Sequence, residues 1–350
     1  MEYLFHEESG QELLHWMVRH QAFTANASSR NLFSTTVTQA KLHTKNTNSI
    51  CRARTRLDGK TAIITGGTLG MGLNVATDFA DRGARVIIAC PFEPEGRNAQ
   101  RLIEEETGNK QIIFKFLDLS SFKSVRDFAS DILNREDRLD ILVNNAGVGY
   151  LEDDVTKDGL NVILQINYYG HFLLTLLLLP LLKRTGTKSE PARVVNVSSL
   201  LHYLGTMNAC YIKRSKALHA LQLYSDSKFF LMVFTRELSK KLSESNVVVN
   251  CVDPGAVGTE IFYSIGCVWG PLIKCFFSTI FKTPWEGAQT TIHVALDKKA
   301  GTISGQMFKN CQVSHAKQSA FSEINRKRLW DDSIKLVKLT EAEHQQCLYT

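Results

Sequence analysis

The sequence predicts an α/β fold: a doubly wound parallel sheet in one domain, preceded by an N-terminal extension. Three observations carry this. From Lys60 onward, short apolar runs rich in Val and Ile alternate with longer helical patterns. The runs lack the in-out alternation of a half-exposed sheet, so both faces must be covered. Their spacing is that of strand–helix–strand units, with no internal repeat and no linker.

The elements follow in order. Asp58-Gly59 and Gly66-Gly67 bracket a first strand at 61–65. A helix over 70–81 ends at Gly83, and a second strand follows at 84–89. Further on come a helix at 98–106, a strand at 111–117, a helix at 122–134 and a strand at 139–143. A long helix is expected over 158–183, a strand at 193–197, a helix at 225–243 and a sixth strand at 247–252.

The boundaries come from composition. Hydrophobic residues make up 44% of the 350 and charged residues 22%, which excludes bulk disorder. Residues 1–57 differ from the rest. The first twelve carry four Glu and no Lys or Arg; residues 13–57 carry seven Lys or Arg and no acid. The basic stretch has the composition of a mitochondrial transit peptide, and the acidic start does not. We therefore expect 1–57 to be a poorly ordered extension, dispensable for chemistry, with the catalytic domain at 58–340 and a tail at 341–350. The net charge outside residues 1–57 is only +3, which gives no reason to expect nucleic acid as partner. The eight cysteines include no C-x-x-C pair, which argues for reduced thiols and against structural zinc. Residues 172–182 are too short to span a membrane and read as core or dimer interface; 261–281 are long enough but contain Lys274 and Pro271.

Several motifs carry chemistry. Gly66, Thr68, Leu69, Gly70, Met71 and Gly72 form a loop that follows the first strand and opens the first helix. Glycines there let the backbone approach a pyrophosphate, and a helix N-terminus presents N–H groups to it. Asn167 is a poor residue for the middle of a helix and needs a reason to be there. Tyr224 and Lys228 lie four apart on one helical face, where an ammonium would lower the phenol's pKa.

The G-x-x-x-G-x-G spacing, with Asn144-Asn145-Ala146-Gly147, Ser199, Tyr224-x-x-x-Lys228 and Asp253-Pro254-Gly255 in that order, resembles the classical short-chain dehydrogenases/reductases. The resemblance covers about residues 58–340 and implies the Rossmann version of the fold. It implies NAD or NADP as cofactor, with Asp118 on the adenine edge, Asn144 lining the cofactor and stabilising the central sheet, and Pro254 and Val257 bordering the nicotinamide. Tyr224 would move the proton, and Lys228 would tune it and bind the nicotinamide ribose. Ser199 would bond the substrate oxygen, and Asn167, at a local kink, would hold a relay water through its freed carbonyl. The 25-residue gap from Ser199 to Tyr224, His202, and the stretch 281–288 are similar to the retinol dehydrogenase-like and polyprenol dehydrogenase-like branch.

The chain departs from that branch after the second strand. Cys90 stands where an NAD enzyme usually has Asp, and Pro91 where an NADP enzyme has Arg; Glu93 and Glu95 add negative charge. Arg97 is the nearest cation that could swing back. NAD and NADP both remain open. The expected activity is interconversion of an alcohol and a carbonyl on a small lipophilic substrate, a retinoid or polyprenoid. The apolar 261–281, with Trp269 and Phe276, would form its lid and a peripheral membrane contact, or pack on the domain or across a homodimer. The alternative is a dinucleotide-binding scaffold of the same fold without chemistry. The sequence leaves the compartment open among cytosol, endoplasmic reticulum and mitochondrion.

Overall fold

The computed structural model describes residues 49–149, 155–207, 216–257 and 282–349. All of them fall in one compact unit, Thr44–Thr350. Among the described residues there are eight strands in a single sheet, ordered β3-β2-β1-β4-β5-β6-β7-β8. The strands are β1 Thr61–Thr65, β2 Arg85–Cys90, β3 Ile112–Phe116, β4 Ile141–Asn144, β5 Ala192–Val197, β6 Val247–Asp253, β7 Met307–Lys309 and β8 Gln312–Ser314. The first seven pair in parallel, and β8 returns antiparallel on β7. The chain reverses direction across the sheet between β1 and β4. That reversal opens a crevice at the carboxyl ends of the strands, where such sheets bind ligands.

Two cores sandwich the sheet. On one face lie α3 (Phe122–Arg135), α4 (Val162–Thr185), α5 (Lys216–Lys241) and α7 (Glu323–Leu336). On the other lie α1 (Gly70–Asp81), α2 (Glu93–Thr107) and α6 (Pro284–Leu296). β1 is buried along its whole length, as expected of a strand covered on both sides. The leucine-rich α4 is long and apolar enough to cross a membrane, yet it is a core helix: Phe172, Leu173, Leu174, Leu178 and Leu182 are fully buried.

The structure corrects several expected boundaries. α2 begins at Glu93, five residues before the expected 98. Pro94 fits the first turn of a helix, where its missing N–H costs nothing, and Glu93 and Glu95 complement the dipole. α4 begins at Val162 rather than 158, because Gly159 sits at φ +85° and Asn161 caps the helix, its Oδ1 accepting from Ile163 N and Leu164 N. α5 begins at Lys216 rather than 225, so Tyr224 lies well inside the helix.

The outer boundaries also move. Residues 49–57 are not a loose tail end. Leu57 is buried, Thr55 Oγ1 donates to Leu296 O at 3.0 Å, and Arg82 Nη1 donates to Ala53 O at 2.8 Å. Residues 341–349, set apart above as part of a tail, form α8 (Glu341–Tyr349), whose Cys347 joins the α4 core. The lid segment 261–281 lies outside the described residues.

Candidate active site

β1 ends at Thr65, and the glycine loop turns there into α1. Gly66 N donates to Ala89 O at 2.8 Å, which ties the loop to the end of β2. Gly66 and Gly70 have φ of +62° and +55°, a region L-residues avoid. At Gly70 an added Cβ would meet nothing within 4 Å, so the loop is open on that side. At Gly72 it would lie 2.1 Å from Gly66 O, so this glycine is required by the loop's own closure. The N-cap of α1 is Leu69, more than half exposed and without a side-chain acceptor, so no side chain caps this helix end. A glycine cradle opening onto such an end fits the pyrophosphate of a dinucleotide.

Helix α6 closes the far wall. Thr283 and Glu286 form a reciprocal capping box with Pro284 in the first turn, a physical reason for the stretch 281–288. A Cβ on Gly287 would come within 2.8 Å of Met71 Sδ and 2.7 Å of Val257 Cγ2. The glycine therefore lets α6 press against both. Pro254 is buried after β6, and Gly255 turns at φ +82° with its N–H on Asp253 Oδ1 at 2.9 Å.

At the centre, the structure brings Asn167, Ser199, Tyr224 and Lys228 together. Ser199 lies near enough to Tyr224 for its hydroxyl to lower the phenol's pKa, and its Oγ accepts from Leu201 N at 3.2 Å. Ser198 is engaged elsewhere: its Oγ donates to Lys228 O at 2.8 Å. Lys228 Nζ donates to Val197 O at 2.9 Å and lies 5.6 Å from the centre of the Tyr224 ring. Asn167 sits in the middle of a π-helical turn, Gln165–Tyr169, inside α4. Its amide donates to Val148 O and to Ser227 Oγ, and Ser227 Oγ donates to Tyr224 O. Lys228 Nζ and Asn167 Oδ1 both converge on Gly147, at 3.2 and 3.4 Å from where its Cβ would be.

The electrostatics differ from expectation in one respect. Burial pushes the Tyr224 phenol up to about 12, against the lowering influence of Ser199 and helped by the Asp253 charge. Lys228 does not supply the expected depression; its ammonium is bound to Val197 O and is itself pushed down to about 8 by burial.

Some expected positions hold a different part. Asn144 is fully buried, and its amide spans Thr175 Oγ1 and Asn196 Oδ1, both at 2.8 Å. It takes the second of its two expected roles, holding the sheet together. The neighbouring Asn145 faces the loop, donating to Thr65 O and Gly66 O. Asp118 has one carboxylate oxygen bound to Ser120 N and Ser120 Oγ, at the other end of the crevice from the tetrad. Thr68 is buried, and its hydroxyl bonds the Glu95 carboxylate.

Two residues were not singled out from sequence. Thr65 Oγ1 accepts from Asn145 N and Ala146 N and meets His171 Nε2 at 2.9 Å. His171 Nδ1 contacts Asn167 O at 3.2 Å; a carbonyl only accepts, so Nδ1 carries the proton and Nε2 accepts from Thr65. Burial holds this imidazole down at about 3, hence neutral. His171 thus uses one lone pair of the Asn167 carbonyl that was expected to be free. A His four residues past a misplaced helical Asn, one turn on, is the signal that could have found it.

The short chain dehydrogenase family matches residues 60–266. Retinol dehydrogenase 11 of Mus musculus is 42% identical over 291 residues, covering 83% of this chain and 90% of its own. Retinol dehydrogenase 12 of Homo sapiens is 40% identical, covering 82% and 89%. Among solved structures, the Pseudomonas aeruginosa RhlG/NADP active-site complex superposes with a TM-score of 0.58 at 26% identity, covering 73% of this chain and 95% of that one.

Proposed function

The chain belongs to the short-chain dehydrogenase family, and from that premise we propose that it interconverts a lipophilic alcohol and its carbonyl, of retinoid or polyprenoid type, through Ser199, Tyr224, Lys228 and Asn167. As a family member it is an NAD(P)-dependent oxidoreductase. The bound nicotinamide dinucleotide supplies the hydride. Gly66, Thr68, Leu69, Gly70, Met71 and Gly72 would hold its pyrophosphate, Asp118 the adenine end, and Pro254 and Val257 the nicotinamide end.

The observation that carries the reading is the buried Lys228 ammonium 5.6 Å from the centre of the Tyr224 ring, with Ser199 beside the phenol. A phenol pushed up to about 12 stays protonated, so it holds a proton to give to a carbonyl oxygen as charge develops there. Ser199 would orient that oxygen. Lys228, at the floor of the site, would bind the ribose and supply positive charge. Asn167, fixed by Val148 and Ser227, would hold a water on its remaining carbonyl lone pair and link Lys228 to solvent.

The lipophilic substrate is supported by the retinol dehydrogenase names of the relatives and by the apolar composition of 261–281. The same segment supports a contact with a membrane surface. The test is turnover with NADH and NADPH across a homologous aldehyde series that includes retinal. We expect kcat/KM to climb by up to about fourfold per added methylene until the site is filled. A flat series removes the lipophilic substrate; no turnover of any carbonyl, with dinucleotide still bound, leaves a non-catalytic scaffold.

A further inference from the structure

We propose that Glu95, held by Thr68 of the glycine loop, makes this site select NAD(H) over NADP(H). The proposal deepens the oxidoreductase reading and rests on it. A dinucleotide on the glycine loop lays its adenosine ribose against the carboxyl end of the next strand. Here that strand is β2, joined to the loop by Gly66 N on Ala89 O. An added 2′-phosphate brings up to two more negative charges to this spot and calls for a cation.

Among the described residues, none presents a cation there. Cys90 is buried, its thiol donates to Phe92 O at 3.2 Å, and burial pushes its pKa up, so it is neutral. Pro91 carries no donor, and Phe92 is an exposed apolar side chain. Arg97 is exposed and rests away from the loop: its guanidinium bonds Glu93 Oε1 at 3.2 Å and lies 5.4 Å over the Phe114 ring, towards β3. What meets the loop instead is a carboxylate. Thr68 Oγ1 donates to Glu95 Oε1, and Thr68 is only 3% exposed, so the donor is fixed.

The position of Glu95 is set by backbone packing. The next residue, Gly96, lies so close to β3 that a Cβ would fall 2.1 Å from the Phe114 ring. That contact clamps the first turn of α2 against the sheet and aims Glu95 at Thr68. A carboxylate so placed accepts hydrogen bonds from ribose hydroxyls and repels a phosphate. Glu95 thus takes the part that an acid at position 90 would play, from one helical turn further along the chain.

The test is binding, without turnover. Dissociation constants of NAD⁺ and NADP⁺, and of 5′-AMP and adenosine 2′,5′-bisphosphate, are measured by calorimetry on the full chain. We expect the unphosphorylated member of each pair to bind at least tenfold tighter. Glu95→Gln keeps the shape and the Thr68 contact but removes the charge; it should shrink the ratio about tenfold, mainly by tightening NADP⁺ and the bisphosphate. Pro91→Arg added to it should bring the ratio to one or invert it. A parent preferring NADP⁺, or a ratio unmoved in Glu95→Gln at unchanged melting temperature, overturns the proposal and leaves the oxidoreductase standing. Binding of neither dinucleotide overturns both.

Discussion

The two ends of the crevice are built on different terms. At the end assigned to the nicotinamide, three of the tetrad's side chains are held by hydrogen bonds: Ser199 by Leu201 N, Lys228 by Val197 O, Asn167 by Val148 and Ser227. Asn167 and Lys228 are nearly or wholly buried. At the end assigned to the adenosine, Leu69 and Phe92 are exposed, Arg97 rests on Glu93, and two carboxylate–hydroxyl contacts, Glu95 with Thr68 and Asp118 with Ser120, order the surface. The first arrangement tolerates no change of residue without leaving a buried polar group unpaired. The second can change residues at little cost to folding. In the proposed function, proton chemistry would thus sit where geometry is over-determined, and choice of cofactor where it is not.

The sharpest way to break this comparison is Tyr224→Phe. The change removes one oxygen and leaves Lys228 on Val197 O. Turnover should fall by about 10²- to 10⁴-fold, while the dissociation constant of the dinucleotide changes little. Near-normal turnover would mean that the buried end is only structural.

A smaller effect separates the roles of two residues there. The Lys228 ammonium, pushed from its ordinary 10.5 down to about 8, loses its proton as pH rises through that value. Tyr224, raised to about 12, keeps its proton over the same range. In carbonyl reduction, kcat/KM should therefore be flat below pH 8 and fall about tenfold per unit above it. In Lys228→Arg the plateau should drop and the alkaline limb disappear, because a guanidinium stays charged. A limb that persists near 8 in that variant would assign it to another group. His171, held near 3 and neutral, contributes no limb between pH 5 and 9.

The same contrast explains what was legible in the sequence. The buried end was readable because its chemistry demands fixed residue types at fixed spacing, as with Tyr224 and Lys228 on one helical face. The parallel sheet was readable because strands covered on both sides are continuously apolar. Partnerships between distant residues were not. Nothing in the sequence near Asn144 says that its amide turns to Asn196 and Thr175, or that Asn145 takes the loop. The phenol's pKa was misjudged because spacing reveals a nearby charge but not the depth of burial opposing it. Helix α2 was started late because Glu93-Pro94-Glu95 reads as a loop until Pro94 is seen in its first turn.

The smallest effect concerns residues 49–57, which precede β1 and carry none of the site's side chains. They strap α1 to α6 at the ends of those helices away from the cofactor. Cys51 N donates to Gln289 Oε1 at 3.1 Å, Thr55 Oγ1 to Leu296 O, and Leu57 N to Arg82 O at 2.8 Å, with Arg82 reaching back to Ala53 O. Burying Leu57 contributes about 2 kcal/mol, and each hydrogen bond about 1 kcal/mol net. A chain beginning at residue 58 should thus melt lower, by on the order of 5 °C, than one beginning at 49. Because α1 and α6 both border the glycine loop and neither carries the tetrad, the loss should appear in dinucleotide affinity, weakened a few fold. Turnover at saturating cofactor should stay the same. Calorimetric binding and steady-state turnover on the two chains separate these outcomes. Equal melting and equal affinity would return 49–57 to the extension, whereas a fall in saturated turnover would show that the two ends of the crevice are mechanically coupled.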